Sequence, residues 1–278
     1  MKKFLLIILA IMTISTVIGG KYHWNQKVSA VQGKVSETEQ KSKVISEEEL
    51  KSIENQKVER AREKDRLLKL DKVNFLPKEL HPAFQKAIEE SRPVHLMITG
   101  SSSTSQKDGA WPELLERQLV DTYGESLIHV TIKEIDGKTS QQVVKENLYN
   151  DMVKMKPDIL LLEPFLLYDN GEIKMSERLK NISKIIQSFK KANPDLITLL
   201  QPANSIYGAT YYPNEEKDLE RYAKQNDYIY MDHWKAWPDY NKKEIEEYLT
   251  EKNVPNEKGN EMWAAYLKKY FVRDGGIE

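Results

Sequence analysis

The chain has 278 residues, enough for one large or two small domains with a substantial core. Its 42 basic and 43 acidic residues leave a net charge of −1, so no global field favours nucleic acid, and no basic stripe with interleaved aromatics appears. The absence of cysteine excludes disulfides, thiolate metal sites and a lipidated N-terminal cysteine.

Lys2 and Lys3 precede an apolar and small-residue run from Phe4 to Gly20. A positive region followed by an apolar one is the pattern of an export signal. The run is longer than the usual ~7–15 residues of such a region and slightly short of a ~20-residue membrane span. The small-residue stretch Val28-Ser29-Ala30 lies well past it. We expect residues 1–20 to be a retained signal-anchor with the domain outside a single-pass membrane segment. A cleaved signal and a secreted chain is the alternative, and either places the domain extracytoplasmically.

Residues 21–75 are polar and dense in Glu, Lys and Gln. Ser46-Glu47-Glu48-Glu49 has the spacing of a capping box, so a helix is predicted from there. Leu50, Ile53, Val58 and Ala61 are too sparse for a core face or a sustained heptad seam. The reading is a solvated, partly helical stalk, with an oligomerising coiled coil as the alternative. Leu76-Pro77 through Glu90 then reads as a turn and one short helix.

From residue 92 to about 275 strand and helix patterns alternate. Val94 to Thr99 is an apolar run of strand length ended by Gly100 and followed by Ser101, Ser102, Ser103 and Thr104. Trp111, Leu114, Leu115, Leu119 and Tyr123 follow helical spacing, with Pro112 near the start and Gly124 past the end. Ile128, Val130 and Ile132 alternate as in a half-buried strand ending at Asp136-Gly137. A helix from about Thr139 would bury Val144, Leu148 and Met152. Asp158 to Leu162 is a continuous apolar strand running into Glu163-Pro164-Phe165 and a loop with Tyr168, Asp169, Asn170 and Gly171. Leu179, Ile182, Ile185, Ile186 and Phe189 mark a helix stopped by Asn193-Pro194. Leu196 to Leu200 is a fourth strand, Asn214 is placed to cap the next helix, and Tyr228 to Met231 is a fifth strand. Asn256 is placed to cap the last helix. Such alternation indicates a three-layer α/β/α domain on a five-stranded parallel sheet.

In a parallel sheet every strand-to-helix loop lies on one edge, where α/β folds bind ligands. Those loops carry Ser102, Gly137, Asp169 and Asn170, Asn204 and Ser205, and Asp232 and His233. A hydroxyl, backbone donors, an amide and an imidazole on one rim are the parts needed for acyl transfer. The same residue types also serve simply as turn formers.

With these residues in place, the chain from Val94 onward resembles the SGNH/GDSL family of serine esterases and lipases, whose fold is a flavodoxin-like α/β/α sandwich. The family's Gly-Asp-Ser block reads Gly100-Ser101-Ser102 here, implying Ser102 as nucleophile. Its second block implies Gly137 as an oxyanion donor beside the Ser102 N–H, and its third points to Asn170, a few residues later than usual. Its last block, Asp-x-x-His before Pro-Asn-x-x-Gly, is matched in its tail by Pro255-Asn256-Glu257-Lys258-Gly259. Val254 stands where the family has its histidine, Glu251 where it has the aspartate, and Ser101 replaces the aspartate of the first block.

Of the five histidines, His23 is beside the apolar segment, His81 precedes the domain, and His95 and His129 fall within strands. His233, next to Asp232 after the fifth strand, is the candidate substitute base. Asn204, Tyr207 and Trp234 are candidate substrate contacts, and aromatics of those two loops serve either as a stacking wall or as packing. There is no phosphate loop, no His-Glu-x-x-His and no Gly-x-Gly-x-x-Gly, so neither metal nor cofactor is expected. The expected function is hydrolysis of an ester of a cell-envelope carbohydrate, lipid or small acyl compound. The alternative is a surface protein of the same fold that binds a glycan or scaffolds partners without catalysis.

Overall fold

The computed structural model describes residue 27 and residues 47–272; the N-terminal apolar run and the expected cap Ser46 lie outside the described residues. The chain divides into two units, 1–61 and 62–278. In the first, the described residues open a long helix, α1 (Glu47–Val73), on which Leu50, Ile53 and Val58 are exposed. Among the described residues no helix is long and apolar enough to cross a membrane.

The second unit continues with α2 (His81–Glu89), β1 (Val94–Gly100), α3 (Trp111–Tyr123) and β2 (Ile128–Glu134). Two short helices follow, α4 (Ser140–Lys145) and α5 (Asn150–Lys154), then β3 (Ile159–Leu162), α6 (Leu166–Asp169) and α7 (Met175–Ala192). The last elements are β4 (Ile197–Leu200), α8 (Tyr212–Gln225), β5 (Ile229–Tyr230) and α9 (Glu257–Phe271). All five strands run parallel in the order β2-β1-β3-β4-β5. The direction of winding therefore reverses between β1 and β3, and the crevice of a doubly wound sheet opens at such a point, above the carboxyl ends.

Strand side chains alternate between two cores, as the pleat requires. Leu96, Ile98, Ile159, Leu161 and Leu199 face a cluster with Phe84, Trp111, Leu115, Trp263 and Leu267. Met97, Leu160, Leu162 and Leu200 face the opposite cluster, with Ile182, Ile185, Phe189 and Leu219. A sheet with a full hydrophobic core on each face is the three-layer architecture that the alternating pattern predicted. The first core also takes in Val73, Leu76, Leu80, Phe84 and Ile88, all ahead of residue 92.

Two local expectations are corrected. The helix expected from Thr139 is capped there, Thr139 and Gln142 forming a reciprocal capping box. It breaks after Lys145, because Asn147 takes a positive φ of 52° and starts a turn before α5. Val143, rather than Val144, is its buried valine. Asn214 lies inside the first turn of α8, whose flanking residue is Tyr211 with Pro213 in the first turn. The last helix begins as expected: the Asn256 side chain accepts from the Gly259 N–H at 3.2 Å.

Candidate active site

The segment after β1 carries five consecutive hydroxyl residues, Ser101 to Ser105, and three of them are pinned inward. Thr104 N–H donates to the Ser101 carbonyl at 2.8 Å and closes a tight turn. The Ser101 N–H and hydroxyl both donate to Glu163 Oε2 at 2.7 Å, and the Thr104 hydroxyl donates to the same atom at 3.1 Å. Ser103 Oγ donates to Asn204 Oδ1 at 2.9 Å, while its carbonyl accepts from the Trp111 indole N–H at 2.7 Å. Ser101, Ser103 and Thr104 are buried, whereas Ser102 and Ser105 are partly exposed. The two half-exposed hydroxyls both reach the cleft, but Ser105 Oγ is committed to Glu134 Oε2 at 3.2 Å, which leaves Ser102 as the candidate nucleophile.

Glu163 is the anchor of this turn. It directly follows β3 at the winding reversal, is fully buried, and its Oε1 has no hydrogen-bond partner. Burial pushes its carboxyl up to about 8, against the opposing pull of the Ser101 and Thr104 donors. Gly100 permits the close approach. A Cβ there would stand 2.5 Å from Thr104 Oγ1 and 2.6 Å from Glu163 Oε2.

Ser102, Asp136, Tyr168, Lys252 and Val254 share the wall of a cleft of about 770 Å³ at the carboxyl edge of the sheet. Inside it, Ser102 Oγ lies 2.7 Å from the Tyr168 hydroxyl, which donates to Asp136 Oδ1 at 3.0 Å. The Tyr168 phenol is raised above its ordinary value by burial and by the Asp136 carboxylate, so it holds its proton. Gly137, the residue after Asp136, has φ of 67°, and a Cβ at that position would meet only open space. The loop from Asp136 is moored behind the cleft: Ser140 N–H donates to buried Asp169 Oδ1 at 2.7 Å, and Asn181 donates to Ser140 Oγ at 3.0 Å.

His233 does not enter the cleft, and its assignment as the base is corrected. It is fully buried, its ring stacked on Trp263 with centroids 3.9 Å apart. Nε2 bonds to the Pro202 carbonyl at 3.0 Å, and the Trp237 indole N–H donates to Nδ1 at 2.9 Å. A carbonyl only accepts, so Nε2 carries the hydrogen, and the Nδ1 lone pair is already used by Trp237. Burial lowers the imidazole to about 3. No lone pair remains for a serine proton. Asp232 is not its orienting partner either, since its carboxylate pairs with Lys235 at 3.1 Å.

The other expected contacts are likewise not brought to the cleft wall. Asn204 is buried, with its amide N–H groups donating to the Asn253 carbonyl at 2.8 Å and the Ser205 carbonyl at 3.2 Å. Trp234 donates to the Ala203 carbonyl at 2.8 Å and packs edge-on against Tyr212. Tyr207 is exposed in its loop, and Asn170 is half-buried just after α6; neither is among the residues that line the cleft. Val254, by contrast, does line it. Valine offers no lone pair for a serine proton.

Tyr168 and Asp136 as partners of Ser102, and Glu163 as anchor of its turn, received no role from the sequence. An acidic residue closing a fully apolar strand at the ligand edge was the readable signal for Glu163. Nothing in the spacing marks Tyr168.

No protein-family model and no curated protein matches the chain. Solved structures do. A G-D-S-L family protein from Desulfitobacterium hafniense DCB-2 is 17% identical, with 64% of this chain and 99% of that one covered and a TM-score of 0.53. A carbohydrate esterase family 3 protein from Talaromyces cellulolyticus is 14% identical, covering 63% and 94%, with a TM-score of 0.51. An α/β hydrolase enzyme from the Lake Arreo metagenome is 15% identical, covering 65% and 95%, with a TM-score of 0.53. The sheet order, the serine turn after β1 and the capped Pro-Asn-x-x-Gly helix agree with these likenesses: the chain has the fold of the SGNH/GDSL lipases and esterases.

Proposed function

We propose that the protein is an extracytoplasmic, membrane-tethered serine hydrolase that cleaves an ester of a cell-envelope carbohydrate, lipid or small acyl compound. The observation that carries this reading is a half-exposed Ser102 hydroxyl in a cleft, beside Ser101, Ser103 and Thr104 spent on holding the turn and Ser105 spent on Glu134. Ser102 attacks the carbonyl carbon, and the N–H groups of Ser102 and Gly137 receive the oxyanion. Ester substrates suit the fold's company, which includes a carbohydrate esterase. Lys2, Lys3 and the apolar run to Gly20 support the tether.

A fluorophosphonate probe tests the reading. Covalent labelling of the full chain that disappears in Ser102→Ala is expected, and an unlabelled wild type would overturn it.

One observation favours a second reading, a glycan-binding protein of the same fold. Val254 occupies the cleft wall in place of a base, and valine accepts no proton. Binding of cell-envelope glycans to the full chain with no probe labelling would select it.

A further inference from the structure

We propose that Tyr168 and Asp136 form a proton relay that replaces the missing imidazole, Tyr168 accepting the Ser102 proton as it passes its own to Asp136. The inference rests on the serine-hydrolase reading and adds the base that reading lacks.

The argument is a count of protons. A phenol has one hydrogen, and Tyr168 commits it to Asp136 Oδ1 at 3.0 Å. In the 2.7 Å contact with Ser102 the tyrosine oxygen is therefore the acceptor, and the hydrogen between them belongs to serine. The chain of donors runs one way, from Ser102 through Tyr168 to a carboxylate. Each bond polarises the next in the direction that draws a proton off the nucleophile. A phenol that merely filled space would have no need of a carboxylate behind it.

The chemistry balances without any other reagent. As Ser102 Oγ bonds to the ester carbonyl carbon, its proton moves to the Tyr168 oxygen and the phenolic proton moves to Asp136 Oδ1. The carbonyl π pair becomes the oxyanion. Collapse of that intermediate breaks the ester C–O bond, and the leaving alkoxide takes the proton back through the same two groups as alcohol. Water then attacks the acyl-serine, giving its proton to the relay. Collapse releases the acid and returns the hydrogen to Ser102, so ester and water become acid and alcohol.

Other charged groups face the same cleft: Lys107 and Asp108 beyond the serine turn, Glu134 at the end of β2, and Lys252 and Glu257 from the C-terminal wall. Glu134 is the competing carboxylate, but its Oε2 already accepts from Ser105 Oγ at 3.2 Å and from the Gln106 N–H at 3.1 Å. Neither residue is Ser102.

The test uses the full chain, a fluorophosphonate and a small aryl acetate, with rates followed from about pH 4 to about pH 8. Tyr168→Phe removes the phenolic oxygen and is expected to slow acylation by about 10²-fold or more. Asp136→Asn is expected to slow it about ten-fold or more and to abolish the acid limb of the rate profile. Glu134→Gln leaves the limb in place. Wild-type rates and an unmoved limb in either Tyr168→Phe or Asp136→Asn would overturn the relay and leave the serine reading standing. Faster acylation in Asp136→Asn would also overturn it, because the phenolic proton would then be acting as an oxyanion donor. A wild type that reacts with neither reagent removes both readings together.

Discussion

Glu163 Oε2 stands 2.7 Å from both the backbone nitrogen and the hydroxyl oxygen of Ser101, so one buried carboxylate oxygen fixes the residue that precedes the nucleophile. Its pH dependence follows. The folded chain holds this proton up to about 8, whereas an unfolded chain releases it near the ordinary value of 4.5. Between those two values the native state binds more protons than the unfolded one, and stability falls as pH rises. The slope is on the order of 1.4 kcal/mol per pH unit at most. In Glu163→Gln the urea midpoint should lose less between about pH 5 and about pH 8 than it does in the wild type. Equal losses in the two proteins would show that this carboxyl is not the titrating group.

Gly100 is required by crowding, since the strand is extended there. A methyl group would meet Thr104 Oγ1, Glu163 Oε2 and, at 2.7 Å, the Glu163 backbone carbonyl. The hydroxyl can rotate away, but the β3 backbone cannot. Gly100→Ala should cost about 1–3 kcal/mol in chemical unfolding. It should also lower probe labelling under conditions where the variant is still folded, because the Ser102 turn is displaced.

Val254 lines the cleft that holds Ser102, and its carbonyl accepts from the Thr250 N–H at 2.8 Å, which keeps the local turn closed. Val254→His restores an imidazole without breaking that backbone bond. Ester hydrolysis is expected to rise at least about ten-fold. The rate profile should gain a limb in the imidazole range, about 6–7. Measured pH–rate curves of the two proteins decide it, and a variant no faster than wild type would show that position 254 no longer reaches the serine.

His233 belongs to the core. Its folded-state value is lowered to about 3 from the ordinary 6.5, so between these the unfolded chain binds the extra proton and stability is lost as pH falls. Its ring signals should therefore stay those of a neutral, Nε2-protonated imidazole across the native range in ¹⁵N–¹H spectra. His233→Ala removes the Trp263 stack and leaves the Trp237 N–H without its acceptor, at a cost of about 3 kcal/mol. Probe labelling at saturating folded fraction should be unchanged.

Much of this architecture was legible because buried parallel strands leave continuous apolar runs and glycine or proline ends them. The β3 run at residues 159–162 and the α7 stripe of Ile182, Ile185 and Phe189 announce themselves in that way. Ser102 was legible for a related reason, as a hydroxyl cluster directly behind a strand-ending glycine. The base was not. His233 looked available because it follows β5 at the ligand edge, but a residue's place in a loop does not reveal that an indole and a carbonyl have taken both ring nitrogens. Tyr168 escaped notice for the opposite reason. Its partnership with Ser102 crosses 66 positions of chain, and only the sheet order brings the ends of β1 and β3 together. The break at Asn147 was equally invisible, since a single positive φ leaves the apolar spacing on either side unchanged.

The buried amide of Asn204 grips Ser103 with its oxygen and the Asn253 carbonyl with its nitrogen, joining the turn that bears the nucleophile to the segment that leads into Val254. Such a strut sets the gauge of the mouth before any guest arrives. Selection among acyl groups then comes from fit to a fixed aperture, and trimming the strut in Asn204→Ala should loosen substrate preference more than it slows turnover on the best substrate.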